Sequence, residues 1–425
     1  MMESHFSAGI AKVDISPSQA DIDAYRTLGK EQFKSLKQKL YARVIAFRDD
    51  RTGRISIILG SDLINVPDYF MIRQRLAEKF GIKPTDMILG GTQNHASIVS
   101  DPPDFKPDER PDILLHVRDE IHNGIEKAVG IALSDMKKAV LGFGTTPSVI
   151  GVNKDETLKE GRPSGANLNM QEDHDLFILL VKDLEGRPMA AMLNYGMQGV
   201  YYSTMTDSYI SGDIHGAVSE KLESFYGEDF IAPYLIGASG DKNPVLNALP
   251  QVFHFKDGVM TKETLPMPDE AQDRMLDWLS GLQANDAVTK IASMKCDITD
   301  LEIRSDEMFT EADARPLPLR SGGGIENDSR IVGKVTHRIH YLALCKELSF
   351  GCGNSITMSA LGKLVKQSLP CTCVYISVEG GIIGYVVDHT ARPETFGYRY
   401  CSCHNPYETE RIYVESVRTM YRDAT

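Results

Sequence analysis

Asp86-Met-Ile-Leu-Gly-Gly-Thr92-Gln93-Asn94-His95-Ala96-Ser97 reads as a short buried strand running into a polar loop with a histidine at its centre. Met87–Gly90 is apolar and far too short for a helix. Upstream, Tyr41–Arg48 and Ile55–Leu59 are rich in strand formers, and the second runs into Gly60-Ser-Asp62. A helix is expected over Asp68–Phe80, with Met71, Leu76 and Phe80 at helical spacing and Gly81 as its stop. Downstream, Asp112–Met136 carries Ile113, Val117, Ile121, Ile125, Val129 and Leu133 as one apolar stripe. Strands are expected at Val140–Phe143, Leu176–Val181, Met189–Tyr195, Ala232–Ile236, Ala292–Ile298 and Val335–Leu344, and helices at Gly212–Tyr226 and Glu270–Ala284. This alternation predicts an α/β fold of mixed β-sheet layers with flanking helices. Two long irregular tracts, 153–172 and 306–329, interrupt it. Composition does not change across them, so residues 1–425 are expected to form one domain.

In such folds ligands sit at the carboxyl ends of strands. The loops that follow strands hold Asp62, His95, Gln198 and Asp241. The net charge of −13 and the absence of a basic block argue against a nucleic-acid surface. The start Met1-Met-Glu-Ser-His-Phe lacks a basic segment followed by an apolar core, and no apolar run is long enough to span a bilayer, so a cytoplasmic location is expected. Seven cysteines leave at least one unpaired. Cys371-Thr-Cys373 and Cys401-Ser-Cys403-His404 have a spacing poor for one tetrahedral ion and natural for one face of a strand, which favours packing. His337-Arg-Ile-His340 falls in an expected strand and is read as structural.

Several further segments, in order, carry a resemblance. Ala8-Gly-Ile-Ala-Lys-Val-Asp14-Ile-Ser-Pro17, Ser61-Asp62-Leu63-Ile64, Leu193-Asn-Tyr-Gly-Met-Gln198-Gly, Ile210-Ser-Gly-Asp213, Ile236-Gly-Ala-Ser-Gly-Asp241-Lys-Asn243-Pro244 and Gly381-Ile-Ile-Gly-Tyr385-Val cover nearly the whole chain. Together with the His95 loop they resemble the neutral, non-lysosomal ceramidases, which are zinc-dependent amidases. The resemblance implies their catalytic-domain fold, in a short form without the immunoglobulin-like tail, and hydrolysis of an amide bond. It also implies a zinc set of two His, one Glu and one Tyr. Here those positions carry His95, Gln198, Asn354 and Tyr385. Gln93 stands where the family has a further loop His, and Asn243 stands where the long ceramidases have a serine.

Amide side chains are weak zinc ligands. Zinc is therefore expected to bind weakly if at all, through His95 and Tyr385, and no cofactor is expected. Without a metal, His95 serves as acid or base. Asp62 and Asp241 would orient it and Tyr385 would donate a proton. Gln198, Asn354, Asn243 and Gln93 would bind a substrate carbonyl or hydroxyl between the aromatic walls Tyr201 and Tyr202. Bland readings stand beside these: a hydrogen-bonding loop His95, a helix-capping Asp241 and a packed Tyr201-Tyr202 pair. Three functions remain open at this point. They are an amide hydrolase, a metal-independent isomerase, cyclase or lyase, and a binding protein that keeps the pocket. The substrate in each is a small or lipid-like molecule. The architectural expectation is that His95, Gln198, Asp241 and Tyr385 meet in one pocket.

Overall fold

The computed structural model describes residues 3–29, 33–102, 105–154, 167, 173–202, 208–246, 248, 251–256, 259–265, 267–316, 330–391, 400 and 402–424. Eight strands form the larger sheet: β1 (Phe6–Asp14), β2 (Tyr41–Asp49), β3 (Ile55–Ser61), β4 (Met87–Gly91), β5 (Lys137–Pro147), β6 (Asp175–Asp183), β7 (Pro188–Tyr195) and β8 (Tyr234–Ile236). Their spatial order is β8-β7-β6-β5-β1-β2-β3-β4. Only the outermost pairs, β7–β8 and β3–β4, are parallel. Parallel neighbours need long crossovers. Helices supply them: α2 (Tyr69–Phe80) links β3 to β4, and α4 (Asp213–Tyr226) links β7 to β8.

Four more strands, β9 (Arg304–Ala314), β10 (Gly333–Cys345), β11 (Leu348–Gly353) and β12 (Thr372–Ile376), form a second sheet in that order. The strands at the centre of this stack, such as β2 and β3, are buried on both faces because both faces are covered. On β2, Ala42, Val44 and Ala46 turn to one core, while Ile45 and Phe47 turn to another. The first core is closed by α3 (Asp112–Ser134) with α2 and the short helix α1 (Gln19–Arg26). A neighbouring core on β6 and β7 is closed by α4 and α5 (Asp269–Ser293). The opposite face packs on the second sheet through Phe47, Phe177, Leu342, Leu344 and Phe350. The far side of the second sheet is covered by α6 (Ser359–Lys366) and α7 (Thr409–Ala424). Helix, sheet, sheet and helix therefore stack as four layers, the mixed α/β architecture read from the alternation.

The larger sheet curls until β8 lies against β3 and β4. Two glycines permit this. A methyl group on Gly60 would stand 2.6 Å from the Tyr234 carbonyl oxygen, and one on Gly90 would stand 2.2 Å from Leu235 Cδ2.

Three expectations need correction. The stretch 306–329 is not irregular throughout: Arg304–Ala314 is a strand paired residue for residue with β10, while 317–329 lie outside the described residues. Ala292–Ile298 is not a strand. Helix α5 runs on to Ser293, and Ile298 makes a single bridge to Leu141. Within 153–172, Gly151–Asn153 forms a short strand with Lys242–Pro244, and residues 155–166 and 168–172 lie outside the described residues. Cys373 and Cys403 sit in different apolar clusters, and Cys401 lies outside the described residues.

Gly60→Ala should lower unfolding free energy by at least about 2 kcal/mol, because backbone rather than a side-chain tip must move. Gly281→Ala, in helix α5 with open space around it, should instead raise stability by about 0.5–1 kcal/mol. Urea titration of both variants measures the contrast. A neutral Gly60→Ala would contradict the close approach of β3 and β8.

Candidate functional site

The loops after β4, β7 and β8 meet and are laced together by backbone hydrogen bonds. His95 N–H donates to Gly199 O at 2.8 Å, and Gln198 N–H donates to Lys242 O at 3.0 Å. Asn94 and Gly199 form a parallel bridge that carries β4 onward beside the chain leaving β7. The Asn94 side chain is fully buried. Its amide donates to Asp62 O at 2.9 Å and Ser211 O at 2.6 Å, and its oxygen accepts from Ala96 N–H at 2.8 Å. Gln93 is buried with φ 51, and its oxygen accepts from Ser239 Oγ at 2.9 Å. A left-handed glutamine is uncommon, and here the side-chain bond to the β8 loop holds it.

The fourth wall comes from the second sheet. After β11, Ile356–Thr357 pairs in parallel with Tyr385–Val386. Gly240 N–H donates to Thr357 O at 2.8 Å, joining this wall to the β8 loop. The Gln198 amide Nε2 then lies 3.4 Å from Gly240 O and 3.5 Å from the Tyr385 hydroxyl. The structure thus brings His95, Gln198 and Tyr385 together through Gly199. It sets Asp241 at the border, where Oδ1 accepts from Ser359 N–H at 2.8 Å and Ser359 Oγ at 2.7 Å, and Oδ2 accepts from Asn153 at 3.0 Å. Asp241 is thereby a clamp on the start of α6, with both oxygens occupied.

His95 is the polar centre. The residue is partly exposed, but Nε2 is shut from solvent and has no hydrogen-bond partner among the described residues. Burial alone lowers its pKa from 6.5 to about 4, so the imidazole is neutral at physiological pH with a lone pair to offer. Asn243 Oδ1 and Thr92 Oγ1 are likewise buried without a partner.

Other expected residues are placed elsewhere. Asp62 does not orient His95. It is fully buried, taking Tyr41 N–H at 2.9 Å and Arg43 Nη1 at 2.8 Å. Burial raises its pKa and the Arg43 charge opposes that rise. Tyr201 and Tyr202 are core residues rather than exposed walls. Their rings meet edge to face at 4.9 Å, and their hydroxyls bond Gln272 O at 2.6 Å and Asp273 Oδ1 at 3.2 Å on α5. Asn354 is engaged with β10: its oxygen accepts from Arg338 N–H at 3.0 Å and its amide donates to Thr336 O at 3.3 Å. Clusters of three or more His, Cys, Asp or Glu in mutual reach occur twice among the described residues, and neither includes His95.

Two contributors were not singled out from sequence. Asn94 lies beside His95 in the quoted loop, but an amide that ties three segments is legible only in three dimensions. Asp213 reads as a plain helix start. It sits at φ 55 and accepts N–H groups from Tyr201, Tyr202 and Ile214, while burial lifts its carboxyl to about 6.

The lowered His95 pKa has a thermodynamic sign. The unfolded imidazole binds its proton near pH 6.5 and the folded one only near pH 4. The stability tied to neutral His95 is complete above the unfolded value and is lost as pH falls through the folded one. His95→Gln lacks this loss. Between pH 7 and pH 4 the stability difference should move in favour of His95→Gln by up to about 3 kcal/mol, less what the residue's partial exposure screens. Parallel denaturant titrations at both pH values measure it, and a constant difference would mean that the ring is not desolvated.

No family model matches the chain, and no curated protein matches it. Solved structures do. The neutral ceramidase from Pseudomonas aeruginosa superposes with a TM-score of 0.70 at 14% identity, over 99% of this chain and 75% of that one. A ceramidase complexed with C2 superposes with a TM-score of 0.73 at 14% identity, over 99% and 76%. At that identity the likeness is one of fold, and the chain has the fold of these ceramidases.

Proposed function

We propose that the chain is an enzyme on a ceramidase-like scaffold that moves protons in a small or lipid-like substrate without a metal at His95. The observation that carries this reading is the buried Nε2 of His95, without a partner among the described residues, in a loop whose backbone is tied to Gly199, next to Gln198 and its Tyr385 contact. A buried polar atom without a partner costs roughly 1–3 kcal/mol, and a bound substrate with an acidic proton would relieve that cost. His95 is neutral at physiological pH and acts as the base. Tyr385 returns a proton, and Gln198, within reach of the Tyr385 hydroxyl, binds the substrate oxygen. This division suits isomerisation, cyclisation or elimination.

The zinc that the fold family implies does not suit this donor set. His95 offers one imidazole nitrogen, Gln198 is a neutral amide, and Asn354 is committed to Arg338 and Thr336. A zinc site wants three or four nitrogen, sulfur or anionic oxygen donors. A second reading, amide hydrolysis, is favoured by the likeness of the scaffold to ceramidases.

The discriminating variant is His95→Gln, assayed on a panel of N-acyl amides and of neutral molecules with an acidic C–H. We expect turnover to fall by about 10²–10⁴-fold while bound metal per chain equals that of the wild type. Loss of one metal equivalent together with activity would establish the zinc hydrolase instead. Undiminished turnover would remove His95 from the chemistry. Tyr385→Phe, which keeps the ring, should lower kcat more than it raises KM.

A further inference from the structure

A second polar cluster lies away from the His95 cleft, between the two sheets. His340 on β10 and Cys352 on β11 are directly opposite in the antiparallel register. Both side chains therefore leave the sheet on one face. Glu379, in the loop between β12 and Tyr385, joins them. All three are fully buried, and one donor atom of each lies within 4.8 Å of the others.

The orientation of His340 is fixed from outside. Its Nε2 lies 2.8 Å from Thr85 O and must carry the proton there, since a carbonyl only accepts. The lone pair of Nδ1 then points inward. It faces Glu379 Oε1 at 3.4 Å, yet Nδ1 makes no hydrogen bond among the described residues. A neutral imidazole lone pair and a carboxylate oxygen repel at this range unless a positive centre lies between them. Two guanidiniums, Arg73 and Arg338, already pair with the carboxylates of Glu307 and Glu379 beside this cluster.

The geometry points to a buried divalent zinc held by His340 Nδ1, Cys352 Sγ and a Glu379 oxygen. Tetrahedral bonds of about 2.1 Å set nitrogen and oxygen ligands about 3.4 Å apart, which is the observed separation of Nδ1 and Oε1. One nitrogen, one sulfur and one carboxylate favour zinc over magnesium or calcium, which take oxygen. The Nε2–H bond to a carbonyl is the outer support that ligating histidines usually have. Arg338 and the Tyr69 hydroxyl support Glu379 in the same way. Binding releases the Cys352 thiol proton to solvent and leaves a thiolate on the metal. The ion would join β10, β11 and the loop that leads to Tyr385. In that loop Val378 is held at φ 59, which a β-branched residue rarely adopts.

The test uses the full chain purified without an affinity tag. Elemental analysis should find about one zinc per chain, retained in His95→Gln and lost in Cys352→Ser. Cobalt-substituted wild type should show a sulfur-to-cobalt charge-transfer band that Cys352→Ser lacks. X-ray absorption at the zinc edge should find one sulfur at about 2.3 Å with nitrogen and oxygen neighbours, a result that does not require the variant to fold. Metal-free wild type that takes up neither ion, a shell with no sulfur or several, or a band that survives in Cys352→Ser overturns the assignment.

Discussion

One buried amide holds the candidate site of this molecule together. Asn94 donates to carbonyls in two separate segments, Asp62 just after β3 and Ser211 just before α4, and accepts from its own loop at Ala96. Its backbone bridges Gly199. Water cannot substitute there, so each of these groups would be left unpaired if the amide were absent. The bridge fixes the distance between the loops that follow β4 and β7. The position of Gln198 relative to His95 follows from that distance, and the contact with Tyr385 follows from the position of Gln198.

Beneath this lacing the protein spends charge on rigidity. Arg43 is fully buried between Asp62 and Glu223. Arg338 is buried between Glu307 and Glu379. Replacing such pairs with apolar groups is often neutral for stability, whereas removing one partner is strongly unfavourable. Their use here is positional. The first pair anchors the end of β3 to helix α4, and the second anchors the loop before Tyr385 to the second sheet.

Much of the fold was legible because apolar runs on both faces of short strands leave few alternatives to covered sheets. Arg304–Ala314 was not, since its Asp, Glu and Thr alternate with few apolar residues. Its pairing with β10 decides it. Ala292 favours helix, so the expected strand Ala292–Ile298 was misplaced at its start, and Ile291 extends α5 onto the β6–β7 core. At the site, His95 and Gln198 were visible as loop positions after strands, whereas Tyr385 came only with the family resemblance. The carboxylate Asp62 misled because its partner Arg43 lies on a neighbouring strand, and the pair forms only once β2 and β3 are in register. The His340–Cys352–Glu379 cluster was hidden for the same reason, since the His337–His340 spacing drew attention along the strand rather than across it.

The bridge between Asn94 and Gly199 also bears on how the chain reaches this state. Its two halves are far apart in sequence, with α3, β5, β6 and β7 between them. Contacts of that separation carry a large loop-closure cost and tend to form late. Until they form, β4 is an open strand edge of wholly buried residues, Met87 to Gly91. Such an edge is a template for pairing with another chain. Synthesis that stalls before β7 would therefore leave a sticky, unfinished sheet, and the residues that complete the cleft are the same ones that cap that edge.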